Sequence, residues 1–226
     1  MLSKIDTQSC LVHIGNTSIA PSETARNLGV IFDQEMSFRH HITRVQQNIR
    51  YQLRNLSFIR KSLSKGAAEI LIHALISSRL DFSNSVLSKL PQKDVEKLQR
   101  LQNSAARLLT FTKKYDSISP ILNLLHWLPV SKRIIFKILL LVHHAVYSDS
   151  PEYLRISISK YQPTRNLRSS SDALLLNIPR TKLGWGDHAF SVRGPSLWNQ
   201  LPSQIRQISS TESFKSHLKT HLFSSH

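Results

Sequence analysis

Two-metal phosphoryl chemistry needs clustered carboxylates, because only several anions together offset the desolvation of Mg²⁺. No such cluster is written in this chain: Asp33, Glu35, Asp81, Asp94, Glu96 and Asp116 are dispersed, with no Asp-Asp or Asp-x-Asp pair at a strand-turn position. Asp94 and Glu96 sit two apart on an expected helix, so they point in different directions and read as solvated helix-end charge. His217 and His221 have the four-residue spacing of a two-histidine zinc half-site. Leu218-Lys219-Thr220 between them supplies no general base, however, and no third ligand follows. The adjacent pairs His40-His41 and His143-His144 cannot face one site on a helix. Cys10 lies in an expected strand with no base assignable to it. Gly184 and Gly186 lack the Lys-Ser/Thr that a nucleotide-binding loop supplies. The expectation is therefore no catalytic residue, no metal and no cofactor.

The basic residues are more informative because several are placed and not merely numerous. Lys93, Arg100, Arg107 and Lys114 recur at seven-residue intervals, and the first three line the helix face opposite Leu98 and Ala105. Lys114 falls past the expected helix end. Arg50, Arg54 and Lys61 form a second stripe beside an apolar one, extended toward the helix start by Thr43 and Gln47. Stripes of this kind can track a phosphate backbone, with arginine forking onto phosphate oxygens. The competing reading is an ordinary solvated face. Phe38, Phe58, Phe136 and Trp127 occupy apolar-periodic positions and read as core in preference to base-stacking platforms.

These residues need elements to carry them, and the pattern calls for a mainly α chain. Residues 9 to 33 read as β structure: Leu11 to Ile14, a Gly15-Asn16 turn, Ser18 to Ala20, and a strand from Leu28 to Phe32. A hairpin plus one strand is marginal alone, so the chain is expected to begin inside a larger fold. Ser37 is a candidate N-cap for one long amphipathic helix, because Phe38, Ile42, Val45, Ile49, Leu53, Leu56 and Leu63 recur mostly at helical steps. A second helix is expected from Ser64 through Ile76 toward Leu90, a third after Pro91, and a short one from Ser119-Pro120 to about Trp127. A helix from near Ser131 is apolar nearly all round, the mark of a central element. From Ser148, Pro151, Pro163, Pro179, Pro195 and Pro202 punctuate an irregular region holding the serine-rich Arg168 to Ser171, Trp185 and Trp198. A last helix capped by Ser210 or Thr211 carries Phe214, Leu218 and Leu222. The division expected is 1–36 (β), 37–147 (helical bundle) and 148–226 (irregular, with a terminal helix).

Composition narrows the partner. A formal net charge of +16 over 226 residues points first to a polyanion, nucleic acid before anionic membrane. The longest apolar run, Ile134 to Val142, is interrupted by Lys137 and is far short of the roughly 20 residues of a membrane span. One cysteine excludes an internal disulfide framework, and Met1 to Thr7 lack the pattern of a secretion signal, which fits an intracellular setting, nucleus or cytoplasm.

A resemblance runs in order along the chain. Arg26-Asn27-Leu28-Gly29-Val30-Ile31-Phe32-Asp33 with Phe38 and His41-Ile42 comes first, then Ser78-Arg79-Leu80-Asp81-Phe82-Ser83-Asn84, then Leu98-Gln99-Arg100-Leu101-Gln102-Asn103-Ser104-Ala105-Ala106-Arg107. Leu125-His126-Trp127-Leu128-Pro129-Val130 leads into Arg133 to Leu141, and Pro151-Glu152-Tyr153-Leu154, Trp198-Asn199-Gln200-Leu201-Pro202 and Phe214-Lys215 follow. The series resembles the post-palm region of non-LTR (LINE, Jockey- and Rex-like) retrotransposon reverse transcriptases. Such elements encode an RNA-directed DNA polymerase. The resemblance implies a palm-edge β remnant, a helical thumb that clamps template and primer, and a tail. The family's metal-binding aspartates lie upstream of anything present, so no residue here inherits a catalytic role and the chain is not expected to be an enzyme by itself. Arg50, Arg54, Lys61, Lys93, Arg100 and Arg107 become candidate contacts to RNA, RNA/DNA hybrid or duplex DNA, with no small-molecule substrate. The alternatives are a domesticated or decayed interaction module without nucleic-acid binding, and peripheral membrane association through the Ser37 helix.

Overall fold

The computed structural model describes residues 11–88, 90–147, 151–162, 174–182 and 186–224, which fall into two units, one up to Arg44 and one from Val45 onward. Cys10, Gly184, Trp185 and the Arg168 to Ser171 run lie outside the described residues.

In the first unit, β1 (Val12–Ile14) and β2 (Thr17–Ile19) pair antiparallel, with Ile14 opposite Thr17. Gly15 supplies the positive φ of 58° at the first position of the two-residue loop, where a side chain would be strained. β3 (Thr24–Asn27) and β4 (Val30–Asp33) form a second antiparallel hairpin. The expected strand from Leu28 to Phe32 is thereby corrected: Leu28 (φ 46°) and Gly29 (φ 86°) are the turn, and the strand starts at Val30. Two successive positive φ values are what a tight hairpin with right-handed twist requires. Val30 is the buried anchor, and Phe32 meets Phe38 edge to face with centroids 5.6 Å apart.

Asp33 organises the passage into the first helix by accepting a 2.8 Å hydrogen bond from the Ser37 backbone N–H. Burial pushes its carboxyl up, but N–H donors from Ser37 and Phe38 together with the Ser37 hydroxyl outweigh that and hold it below the ordinary value. Helix α1 (Arg39–Ile59) starts two residues after Ser37, whose hydroxyl lies 3.5 Å from the Arg39 N–H.

The second unit is helical. Ile49 and Leu56 on α1 are buried. After a 3₁₀ turn (Arg60–Ser62), Ser64 caps α2 (Lys65–Ile72) by accepting from the Ala67 N–H. A π-turn (His73–Ser77) joins α2 to α3 (Ser78–Asp81). The expected continuation to Leu90 fails there: Phe82 is extended, Ser83 is left-handed (φ 51°), and only a 3₁₀ turn, Asn84–Leu87, follows. Pro91 then opens α4 (Gln92–Thr110), α5 spans Ser119–Leu124 with Pro120 in its first turn, and α6 spans Val130–Tyr147. Proline at a helix start removes only an N–H that would have had no partner.

Helix α6 is central, as its apolar character demands: it packs against α4, α8 (Phe190–Asn199), α10 (Thr211–Ser224) and the Asn84–Leu87 turn. Short helices α7 (Glu152–Ile156) and α9 (Ser203–Arg206) complete the described set. Residues 190–224, expected to be irregular up to the last helix, are thus largely helical and share the α6 core. Trp198, Phe214 and Leu218 are fully buried there, and His143 stacks on Phe214 at 4.2 Å between ring centroids. Gly194 permits the close approach of α8 to α6, because a Cβ at that position would lie 2.9 Å from Val142 Cγ2. The proline-punctuated stretch is tied to this core by side chains that complete its backbone bonding. Asn199 accepts from the Leu176 N–H and donates to the Leu176 carbonyl (2.9 and 2.8 Å), while Trp198 Nε1 donates to the Leu174 carbonyl (2.8 Å). No helix among the described residues is long and apolar enough to cross a membrane.

Candidate nucleic-acid interface

From Arg39 to Ile59, helix α1 carries no acidic residue and four arginines, Arg39, Arg44, Arg50 and Arg54. An ordinary solvated helix interleaves both signs of charge. The part of α1 belonging to the second unit flanks a groove of about 410 Å³ with α4, lined by Gln46, Arg50, Leu53, Arg54, Lys97, Arg100, Leu101 and Ser104. Leu53 and the buried Leu101 are its apolar lining, and four cations with Gln46 and Ser104 supply its polar groups. Along α1, Arg50 and Arg54 are about 6 Å apart in rise, one helical turn.

The structure thus brings together Arg50, Arg54 and Arg100, which belong to different stripes in the sequence, and adds Lys97. Lys97 is detectable in retrospect: it lies four residues after Lys93 and three before Arg100, on the same helix face. Its ammonium pairs with Asp94 at 2.6 Å, and Arg100 stands 3.9 Å from Glu96. The α4 wall is therefore partly neutralised. Among the described residues no ion pair engages Arg50 or Arg54, so these two guanidiniums are the least compensated positive groups of the groove.

Three predicted contacts fall elsewhere. Arg107 donates to the Lys113 and Asp116 carbonyls and closes the loop after α4, a structural use of its guanidinium. Lys61 is exposed in the 3₁₀ turn beyond α1, and Lys93 is exposed at the start of α4; neither lines the groove. The basic residue that sequence reasoning passed over is Arg60, only 5% exposed. It donates from Nε to the Leu108 carbonyl (3.0 Å) and from Nη2 to the Leu109 carbonyl (2.7 Å), and its guanidinium lies 4.2 Å from the centroid of Phe111. A cation on the last carbonyls of α4 satisfies groups that have no intrahelical partner and complements the helix dipole. Arg60 thereby joins the end of α1 to the end of α4 and fixes the groove walls beside each other.

Two further expectations are corrected. Asp94 is buried (2% exposed) and not a solvated helix-end charge; it sits in the first turn of α4, where the dipole favours an anion. Phe58 is 73% exposed and not core, because it lies two residues, about 200° of helix rotation, from the buried Leu56. Phe38 and Trp127 are buried as expected.

Two other acids are engaged in structure: Asp81 forms a two-pronged pair with Arg133, joining α3 to α6, and Asp116 accepts from the Lys113 N–H. His217 Nδ1 faces the Ser213 carbonyl at 2.8 Å. Among the described residues no group of three or more His, Cys, Asp or Glu side chains is placed to hold a metal ion. No family model, curated protein or solved structure matches the chain.

Proposed function

We propose that the α1–α4 groove holds the sugar-phosphate backbone of a nucleic acid, and that the chain acts as a binding module with no catalytic residue assigned. The observation that carries this reading is the acid-free run of α1 placed so that Arg50 and Arg54 face Lys97 and Arg100 across one groove. Guanidiniums suit phosphate oxygens because their planar donors reach two oxygens at once. The ordered resemblance to the post-palm region of LINE reverse transcriptases supports the same partner and favours a template-primer hybrid, on the reading that α1 and α4 correspond to that family's thumb.

The test is fluorescence anisotropy of a labelled RNA/DNA hybrid with the full chain at increasing salt. Arg50→Glu with Arg54→Glu is expected to weaken binding by roughly tenfold or more and to lower the salt slope by about 0.9 per lost phosphate contact. Lys61→Glu and Lys93→Glu, outside the groove, are expected to do much less. Equal affinity for the doubly reversed and unaltered proteins would refute the groove. A second reading, an interaction module that binds protein, is favoured by one observation: the hairpin of β1 and β2 exposes Val12, Ile14 and Ile19. It predicts that hybrid binding is absent even at low salt.

A further inference from the structure

Two large aromatic side chains on α1 have no role in the groove as described. Tyr51 is 63% exposed and Phe58 73% exposed, on a helix whose other face supplies Ile49 and Leu56 to the core. They are seven residues apart, so they sit about 20° from each other around the axis and about 10 Å apart along it. Arg54 lies between them, three residues after Tyr51 and four before Phe58, within about 60° of either ring. Asn55, also exposed, borders the same ridge. The order along the helix is therefore ring, cation, ring, and the cation, Arg54, is also a lining residue of the groove.

An apolar protein partner is best met by a continuous apolar patch. Here the rings are separated by a guanidinium and an amide, and no acid lies on the helix. Alternating π-faces and cations match a strand in which bases alternate with phosphates. The match holds only for unpaired nucleotides, because in a duplex each base face is already covered by its neighbours. Two rings about 10 Å apart span about three stacked base steps of 3.4 Å.

We propose that this exposed ridge of α1 is a single-strand site: unpaired bases of RNA or DNA stack on Tyr51 and Phe58 while Arg54 holds the phosphate between them. This rests on the groove reading above and deepens it, since it makes the preferred ligand a paired segment continued by an unpaired strand.

Anisotropy titrations of the full chain would use four labelled probes: a blunt hybrid, the same hybrid with an unpaired extension, that hybrid with an abasic extension of equal length, and the single strand alone. The unaltered protein is expected to bind the extended hybrid more tightly than either the blunt or the abasic one. Tyr51→Ala with Phe58→Ala, both at exposed positions, should lower affinity for the extended hybrid and the single strand by tenfold or more, from about two lost stacking contacts, and leave the blunt hybrid unchanged. Tyr51→Phe with Phe58→Trp should retain the preference, since both keep a π-face. Circular dichroism of each variant checks the fold. An undiminished preference in the alanine variant, or an equal fall on all probes, would overturn the stacking site while a loss in the Arg50→Glu, Arg54→Glu variant kept the groove. If that variant binds every probe as the unaltered chain does, the groove fails, and the single-strand site with it.

Discussion

His143 shows how one side chain can be both packing and chemistry. Its Nε2 lies 2.8 Å from the Ile208 carbonyl, which assigns the proton to that nitrogen, and the ring is enclosed by His144, Tyr147, Trp198 and Phe214. Burial lowers its pKa below the ordinary 6.5, and the neighbouring His144 acts in the same direction against the Ile208 bond. The folded state therefore disfavours the proton that the unfolded chain takes up. The stability this contributes is complete above pH 6.5 and is lost as pH falls through that value toward the folded pKa. His41, whose pKa is lowered by burial in the first unit, has the same sign. Urea unfolding followed by tryptophan fluorescence between about pH 7.5 and 5 is expected to show this loss, and His143→Phe should flatten the profile of the second unit. Arg60 is the other residue on which much depends. Arg60→Leu keeps most of the volume but leaves the Leu108 and Leu109 carbonyls without a donor, an expected cost of about 2–3 kcal/mol in the same urea assay.

At the scale of elements, the β3–β4 hairpin carries a leucine where a left-handed residue is required. Replacing it with one that tolerates positive φ, Leu28→Asn, should stabilise the hairpin by about 1 kcal/mol, read as slower amide exchange in β3 and β4. Gly194→Ala should act in the opposite direction, forcing α6 and α8 apart at Val142 and lowering stability by about 1–3 kcal/mol. These two positions also mark what local pattern reveals. The Gly15-Asn16 turn, the start of α2 at Ser64 and the Pro91 start of α4 are legible because each is set by one residue's own local preference. Strand β3 is not: Thr24-Ala25-Arg26-Asn27 has no apolar alternation, and the Leu28-Gly29 pair hides a turn inside an apolar run. The π-turn at His73–Ser77 and the left-handed break at Ser83 are likewise departures from the regular α-helix, which a periodicity of 3.6 cannot register.

For the molecule as a whole, the question is whether the charge of +16 acts diffusely or through a place. A diffuse field predicts that reversing two arginines barely matters, whereas a groove predicts that Arg50→Glu with Arg54→Glu changes both affinity and salt slope. The stripes of Arg50 with Arg54 and of Arg100 were readable one helix at a time. Their convergence was not, because α1 and α4 are distant in sequence, and Arg107 was indistinguishable from Arg100 until its carbonyl partners were seen. The same long-range construction governs how the chain must be made. His143 meets Ile208 across 65 residues, and α6 packs not only against α4 and the Asn84–Leu87 turn, which precede it, but also against α8 and α10, which follow it. During synthesis, α6 leaves the ribosome before α8 and α10, which complete its packing. A nascent chain therefore passes through a stage in which its most apolar helix has α4 and the Asn84–Leu87 turn against it but still lacks α8 and α10, so that the order of translation, and not only the final fold, sets when that apolar surface is covered.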